Sequence, residues 1–132
     1  EGNLTEGLLN YDSDKGRFQL KDMHIKDAMF LRGLDIVNCE IEGAIEECDI
    51  FGSKIHLSDL KRCNLFNQSV IENSYLFDCY VNSSSELKEC HFAGFRGVMN
   101  GQMQGGVFES GMSNTEAKIS KNTKVMQIEK IK

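Results

Sequence analysis

Residues Cys48 to Glu72 read CDIFG SKIHL SDLKR CNLFN QSVIE when cut every five positions. A small residue opens nearly every block and an aliphatic one stands third. A period of five suits neither common element. On an α-helix, residues five apart are rotated by roughly 140°, and on a flat strand an odd step sends alternate members to opposite faces. The pattern is buried only if the chain turns a corner after each block, with the first and third residues inward and the others outward. That predicts a solenoid, and such a repeat is read before helix or strand is assigned.

The frame extends in both directions. Upstream lie MHIKD (23–27), AMFLR (28–32), LDIVN (34–38), CEIEG (39–43) and a shortened AIEE (44–47), with Gly33 inserted. Downstream lie SYLFD (74–78), CYVNS (79–83), SELKE (85–89) and CHFAG (90–94), with Asn73 and Ser84 inserted. After an irregular FRGVMN, the blocks GQMQG and GVFES carry the frame to Ser110. Cys39, Cys48, Cys63, Cys79 and Cys90 all open a block despite the gaps between them.

Blocks such as Cys48-Asp49-Ile50, Ser58-Asp59-Leu60 and Cys63-Asn64-Leu65 resemble the pentapeptide-repeat family, whose pattern is a small residue, Asp or Asn, Leu or Phe, and two variable positions. The resemblance covers 23–94, with 101–110 in weaker form. It implies an all-β fold, a single-stranded right-handed quadrilateral parallel β-helix with four blocks per coil. On that geometry about four coils, rising ~4.8 Å each, give a stack of roughly 20 Å. Ile41, Leu60, Val81 and Met103 would form one inward column, and Ile45, Leu65, Leu87 and Phe108 the next. The absence of Pro suits a chain whose N–H groups pair between coils.

Three segments follow. Residues 1–22 hold LLNYDSDKGRFQLKD, which alternates about Asp12 to Gly16 and predicts a β-hairpin lid on the first coil. Residues 23–112 form the β-helix, irregular and glycine-rich from Gly94, with six glycines up to Met112. Such density predicts a distorted last coil or a close approach by another backbone, and with it a homo-oligomer through this end. Residues 113–132 hold two β-prone runs, a tail or a pair of capping strands.

Charge divides at the same boundary. Residues 1–112 carry 18 acidic and 10 basic side chains, net −8, whereas 113–132 carry two acidic and five basic, net +3. The acidic rod reads first as a solvated surface. The sharper reading, which the family resemblance implies, is an acidic mimic of nucleic acid that binds a type II topoisomerase. The charge is sparse beside one per ~1.7 Å on duplex DNA. Direct nucleic-acid binding by the rod does not fit its sign.

The polar residues point to no chemistry. The cysteines lack any C-x-x-C spacing, so no zinc site is expected. A four-block coil places Cys39 and Cys79, and likewise Cys48 and Cys90, two coils apart, beyond the ~7 Å Cα limit for a disulfide. They read as small buried thiols in a protein of a reducing compartment. His24, His56 and His91 fall on three different sides of that coil and do not converge. Asp12-Ser13-Asp14-Lys15-Gly16 lacks the later ligands of a calcium loop, with Met23 at the twelfth position, and is a turn. No nucleophile motif, signal peptide or membrane-length apolar run is visible. The chain starts at Glu1 without Met, which reads as processing or excision from a larger protein.

No catalytic, cofactor or metal residue is assigned, and no small-molecule substrate or membrane partner is expected. Outward aromatics at variable positions, Phe66, Tyr75, Phe77 and Tyr80, together with Phe95 and Arg96 of the irregular stretch, are the candidate partner contacts. The expected function is a non-enzymatic structural or interaction module within a larger assembly of protein subunits. By analogy, small β-helices of this kind occur in phage virions and other bacterial complexes.

Overall fold

The computed structural model describes residues 3–4, 8–14, 16–114 and 117–131. Those residues form a β-solenoid with no helix, and within the coils every strand pairs in parallel with the one a turn away. Asn64 stands beside Asp49 on one side and Tyr80 on the other; Val70 stands beside Lys54 and Glu86; Tyr75 stands beside Asp59 and His91. Those partners are 15 or 16 residues apart. A coil therefore takes three blocks instead of four, and the cross-section is a triangle of about six turns.

We call the sides faces A, B and C. Face A carries Asp49–Phe51, Asn64–Phe66 and Tyr80–Val81; face B carries Lys54–His56, Val70–Glu72 and Glu86–Lys88; face C carries Asp59–Lys61, Tyr75–Phe77 and His91–Ala93. The inward columns are regrouped accordingly. Ile36, Ile50, Leu65, Val81 and Met99 line face A. Ile25, Ile41, Ile55, Ile71, Leu87 and Met103 line face B. Ile45, Leu60, Leu76, Phe92 and Phe108 line face C. All are 0–1% exposed, so one residue per face per turn builds the core.

The five-beat has a backbone cause. Three strand residues are followed by one with φ near +50°, then by a small inward residue that starts the next face. Asn38, Gly52 and Asn67 turn from A to B, Leu57, Asn73 and Glu89 from B to C, and Glu47, Arg62 and Asp78 from C to A. Asn, Asp and Gly tolerate this left-handed region, whereas Leu57, Arg62, Glu47 and Glu89 carry roughly 1–2 kcal/mol of strain each. The sheet pairing on either side holds them there.

The small residue after each turn closes the corner. At Ser53, Ser69 and Ser74 the hydroxyl accepts the N–H of the corner one coil earlier: Cys39 N to Ser53 Oγ (3.0 Å), Ser53 N to Ser69 Oγ (3.2 Å) and Ser58 N to Ser74 Oγ (3.1 Å); the buried Ser85 hydroxyl makes no such bond. Each accepting hydroxyl also donates to a nearby strand carbonyl, as Ser69 does to Phe66 (2.8 Å). Buried corner amides thereby find partners that the ladder does not supply.

The ends differ. Leu8–Asp12 and Arg17–Lys21 form the expected antiparallel hairpin, and Asn3–Leu4 pairs antiparallel with His24–Arg32. At the other end Lys124–Ile131 runs along Val107–Asn114, and Val125, next below Phe108 in the face C column, is 45% exposed. The glycine-rich segment is a fully wound coil. The backbone it approaches is that of its own preceding turn: a Cβ on Gly101 would lie 2.3 Å from the Ser85 carbonyl oxygen, and one on Gly106 2.1 Å from that of Cys90.

Candidate interaction surface

Three-sided winding rearranges every side-chain cluster expected from a four-block coil. Cys48, Cys63 and Cys79 occupy one corner column on successive turns, shown by Asn64 N bonding Cys48 O (3.0 Å) and Tyr80 N bonding Cys63 O (2.9 Å). They are one coil apart, not two, and a one-coil rise of ~4.8 Å is short enough for a bridge. All five cysteines are nevertheless free and buried. Their thiols donate to strand carbonyls, as Cys63 does to Lys61 (3.4 Å) and Ile45 (3.6 Å).

Burial pushes the Cys48 thiol up to about 12 and the Cys90 thiol up to about 11, from an ordinary value of 9.0. The Cys63 thiol is raised further, first by its hydrogen bond with the Cys79 thiol and then by burial. All five thiols are buried, out of reach of a reagent in solution, so the folded protein is expected to leave them unmodified by a thiol reagent that labels them fully in urea. The pH dependence follows. These raised groups keep their protons when folded, so stability is intact below pH 9 and falls as pH rises from 9 toward 12, by about 1.4 kcal/mol per pH unit per thiol. Urea midpoints measured at pH 8 and 10.5 check this; equal midpoints would contradict it.

The histidines also regroup. His24 and His56 both stand on face B, where Glu40 lies 3.6 Å from His24 Nε2 and 3.4 Å from His56 Nε2, and Glu42 lies 3.1 Å from His56 Nδ1. His91 is on face C, with Glu109 at 2.5 Å. Among the described residues no group of three or more His, Cys, Asp or Glu is arranged to hold a metal ion. No helix there is long and apolar enough to cross a membrane. Acidic side chains are interleaved with basic ones across coils: Glu46 and Glu47 pair with Arg62, Glu47 also with Arg32, and Asp35 with Arg17.

The aromatic residues fall into two groups. Phe66 and Tyr80 lie on face A, where Phe51 stacks on Phe66 (ring centroids 5.4 Å) and Phe66 leans on Tyr80 (5.9 Å). Tyr75 and Phe77 lie on face C, with Tyr75 against His91 at 5.1 Å. Between these faces runs the C–A edge, and there Phe95 and Arg96 project. Elsewhere this edge turns with a single residue, Glu47, Arg62 or Asp78, before the corner cysteine. After His91–Ala93 it takes three, Gly94, Phe95 and Arg96, before Gly97 restores the corner by bonding Met112 N. The two extra residues contribute nothing to the core, and Phe95 is 78% exposed.

The expanded turn is firmly held. Gly94 N donates to Ser110 Oγ (2.7 Å), Arg96 N to Asp78 Oδ1 (3.1 Å) and Gly97 N to the Gly94 carbonyl (3.1 Å). Gly94 is required at φ +101°, because a Cβ would lie 2.2 Å from Asp78 Oδ1. Beside the turn lies a groove of about 390 Å3 lined by Tyr75, Phe77, Ala93 and Phe95, with Asp78, Arg96, Glu109 and Ser110 completing its walls. A second hollow, about 630 Å3 near Asp22, His24, Glu40 and Lys54, has no Phe, Tyr or Trp in its lining.

Comparisons of the chain with protein-family models, curated proteins and solved structures each find no match. The site therefore rests on geometry alone. Of the residues expected as contacts, the groove gathers Tyr75, Phe77, Phe95 and Arg96, while Phe66 and Tyr80 belong to the face A stack. Asp78, Ala93 and Glu109 were missed. The signal that could have found them was the frame break at FRGVMN, since residues that a repeat does not need are free to serve elsewhere.

Proposed function

We propose that this chain is a non-enzymatic protein–protein interaction module, a component of a larger assembly of protein subunits, docking through its expanded C–A edge. The observation that carries this is the two-residue expansion that holds Phe95 in solvent beside an aromatic groove. Exposed apolar surface next to a pre-shaped hollow is the usual form of a docking site. Its hydrogen bonds fix the turn before binding, which lowers the ordering cost. Inward positions are committed to packing, so recognition falls to such outward departures. The kinship with pentapeptide repeats is proposed at the level of the block, the small first and aliphatic third residue, with three blocks to a coil.

The alternative, an acidic mimic of DNA that inhibits a type II topoisomerase, is favoured less, because Arg62, Arg32 and Arg17 interrupt the acidic surface. Purification of the native assembly tests the main reading. The chain is expected in fixed stoichiometry with other subunits, and deletion of Phe95 and Arg96 is expected to release it while leaving its unfolding midpoint near wild type. A deleted chain that still co-purifies in full would overturn the reading. Inhibition of DNA supercoiling would favour the mimic instead.

A further inference from the structure

Phe95 and the groove are adjacent on one patch, so the same surface carries both a projection and a hollow to receive one. That is the requirement for an isologous contact, in which a twofold axis brings the projection of each copy to the hollow of the other. We infer that the partner of this edge is a second copy of this chain, with Phe95 seated between Tyr75 and Ala93 of the other copy; the inference rests on the docking role proposed above.

Charge supports a second copy over a foreign partner of one sign. The chain is net −5, so two copies repel wherever acidic surfaces meet. At the groove the signs are mixed: Arg96 lines it together with Asp78, whose Oδ1 already accepts the Arg96 N–H, and Glu109. A twofold exchange of Phe95 carries each Arg96 toward the other copy's Glu109, opposite charges where like charges would otherwise exclude the contact. Glu109 is already oriented by His91 at 2.5 Å, and His91 in turn braces Tyr75. Face A continues the patch with few charges, since Tyr80, Val98 and Met112 follow the same edge and are all half-buried.

The test is molar mass by sedimentation equilibrium of the full chain from micromolar to millimolar concentration. Wild type is expected to shift from 14.9 kDa to twice that mass as concentration rises. Phe95→Ser, a change at a side chain 78% exposed, is expected to fold normally by circular dichroism and to weaken association at least tenfold. Arg96→Glu is expected to do the same, and Arg96→Glu with Glu109→Arg to recover most of the loss. A monomer at every concentration overturns the inference, as does a dimer that Phe95→Ser leaves unchanged. In either event the co-purification experiment still decides the assembly role separately.

Discussion

Gly106→Val is expected to unfold the C-terminal coils, costing about 4 kcal/mol or more in urea denaturation. Gly106 has φ +72°, and a Cβ there would lie 2.1 Å from the Cys90 carbonyl oxygen and 2.6 Å from its nitrogen. Both are backbone atoms of the corner between Glu86–Lys88 and His91–Ala93, and the Cys90 carbonyl is held by the Val107 N–H (2.9 Å), so no side chain can swing aside. Gly33 is the matched control. Its φ is +68°, but nothing lies within 4 Å of its Cβ direction. Gly33→Ala should therefore cost only the left-handed backbone penalty, about 1–2 kcal/mol. Equal losses at the two sites would show that the coils are not in the contact described.

Phe92→Ala is expected to cost about 3–5 kcal/mol, because the ring is fully buried and the coils above and below cannot collapse into its space. The sequence makes room for that ring in a traceable way. Along the face C column Leu60 and Leu76 give way to Phe92 and Phe108, whose rings meet edge to face at 5.2 Å. At the same level the C–A corner column changes from Cys48, Cys63 and Cys79 to Gly97 and Gly111. A Cβ on Gly97 would lie 2.9 Å from Phe92 Cε1, and one on Gly111 3.1 Å from the same atom. Larger core residues are matched by smaller corner residues. Gly97→Ala should thus cost about 1–3 kcal/mol in wild type and distinctly less in Phe92→Leu. Strict additivity of the two changes would argue that they do not share this space.

Much of this was legible in the sequence, because the block pattern is written by the corner itself. Cys48, Ser58 and Cys63 are small where the chain must turn inward, and Ile50, Leu60 and Leu65 are aliphatic where it packs. The number of sides was not legible. Each block reports only its own corner, and a triangular and a square coil need the same small and aliphatic residues. The gaps held the missing information. In the structure Gln68, with φ +63°, is the extra residue, and Ser69 opens the next block; assigning QSVIE as a block hid this and displaced Asn73 as an insertion. Gly43 opens GAIEE by donating its N–H to Ser58 Oγ (2.9 Å), so the shortened block is the one before it. With those shifts, coils of 15 and 16 residues account for most of the irregularity. The site was half legible. Aromatic type and outward position pointed to Tyr75, Phe77 and Phe95, but which of them share an edge depends on the number of sides.

The claim on which the core columns, the corner thiols and the docking edge all depend is the three-block coil. Scalar couplings across backbone hydrogen bonds, measured by NMR, test it directly. The predicted partners of the amides of Asn64, Tyr80 and Val98 are the carbonyls of Cys48, Cys63 and Cys79, successive members of one corner column. Couplings that instead joined each amide to a carbonyl about one block further back along the chain would mean a four-sided coil, and would contradict the account.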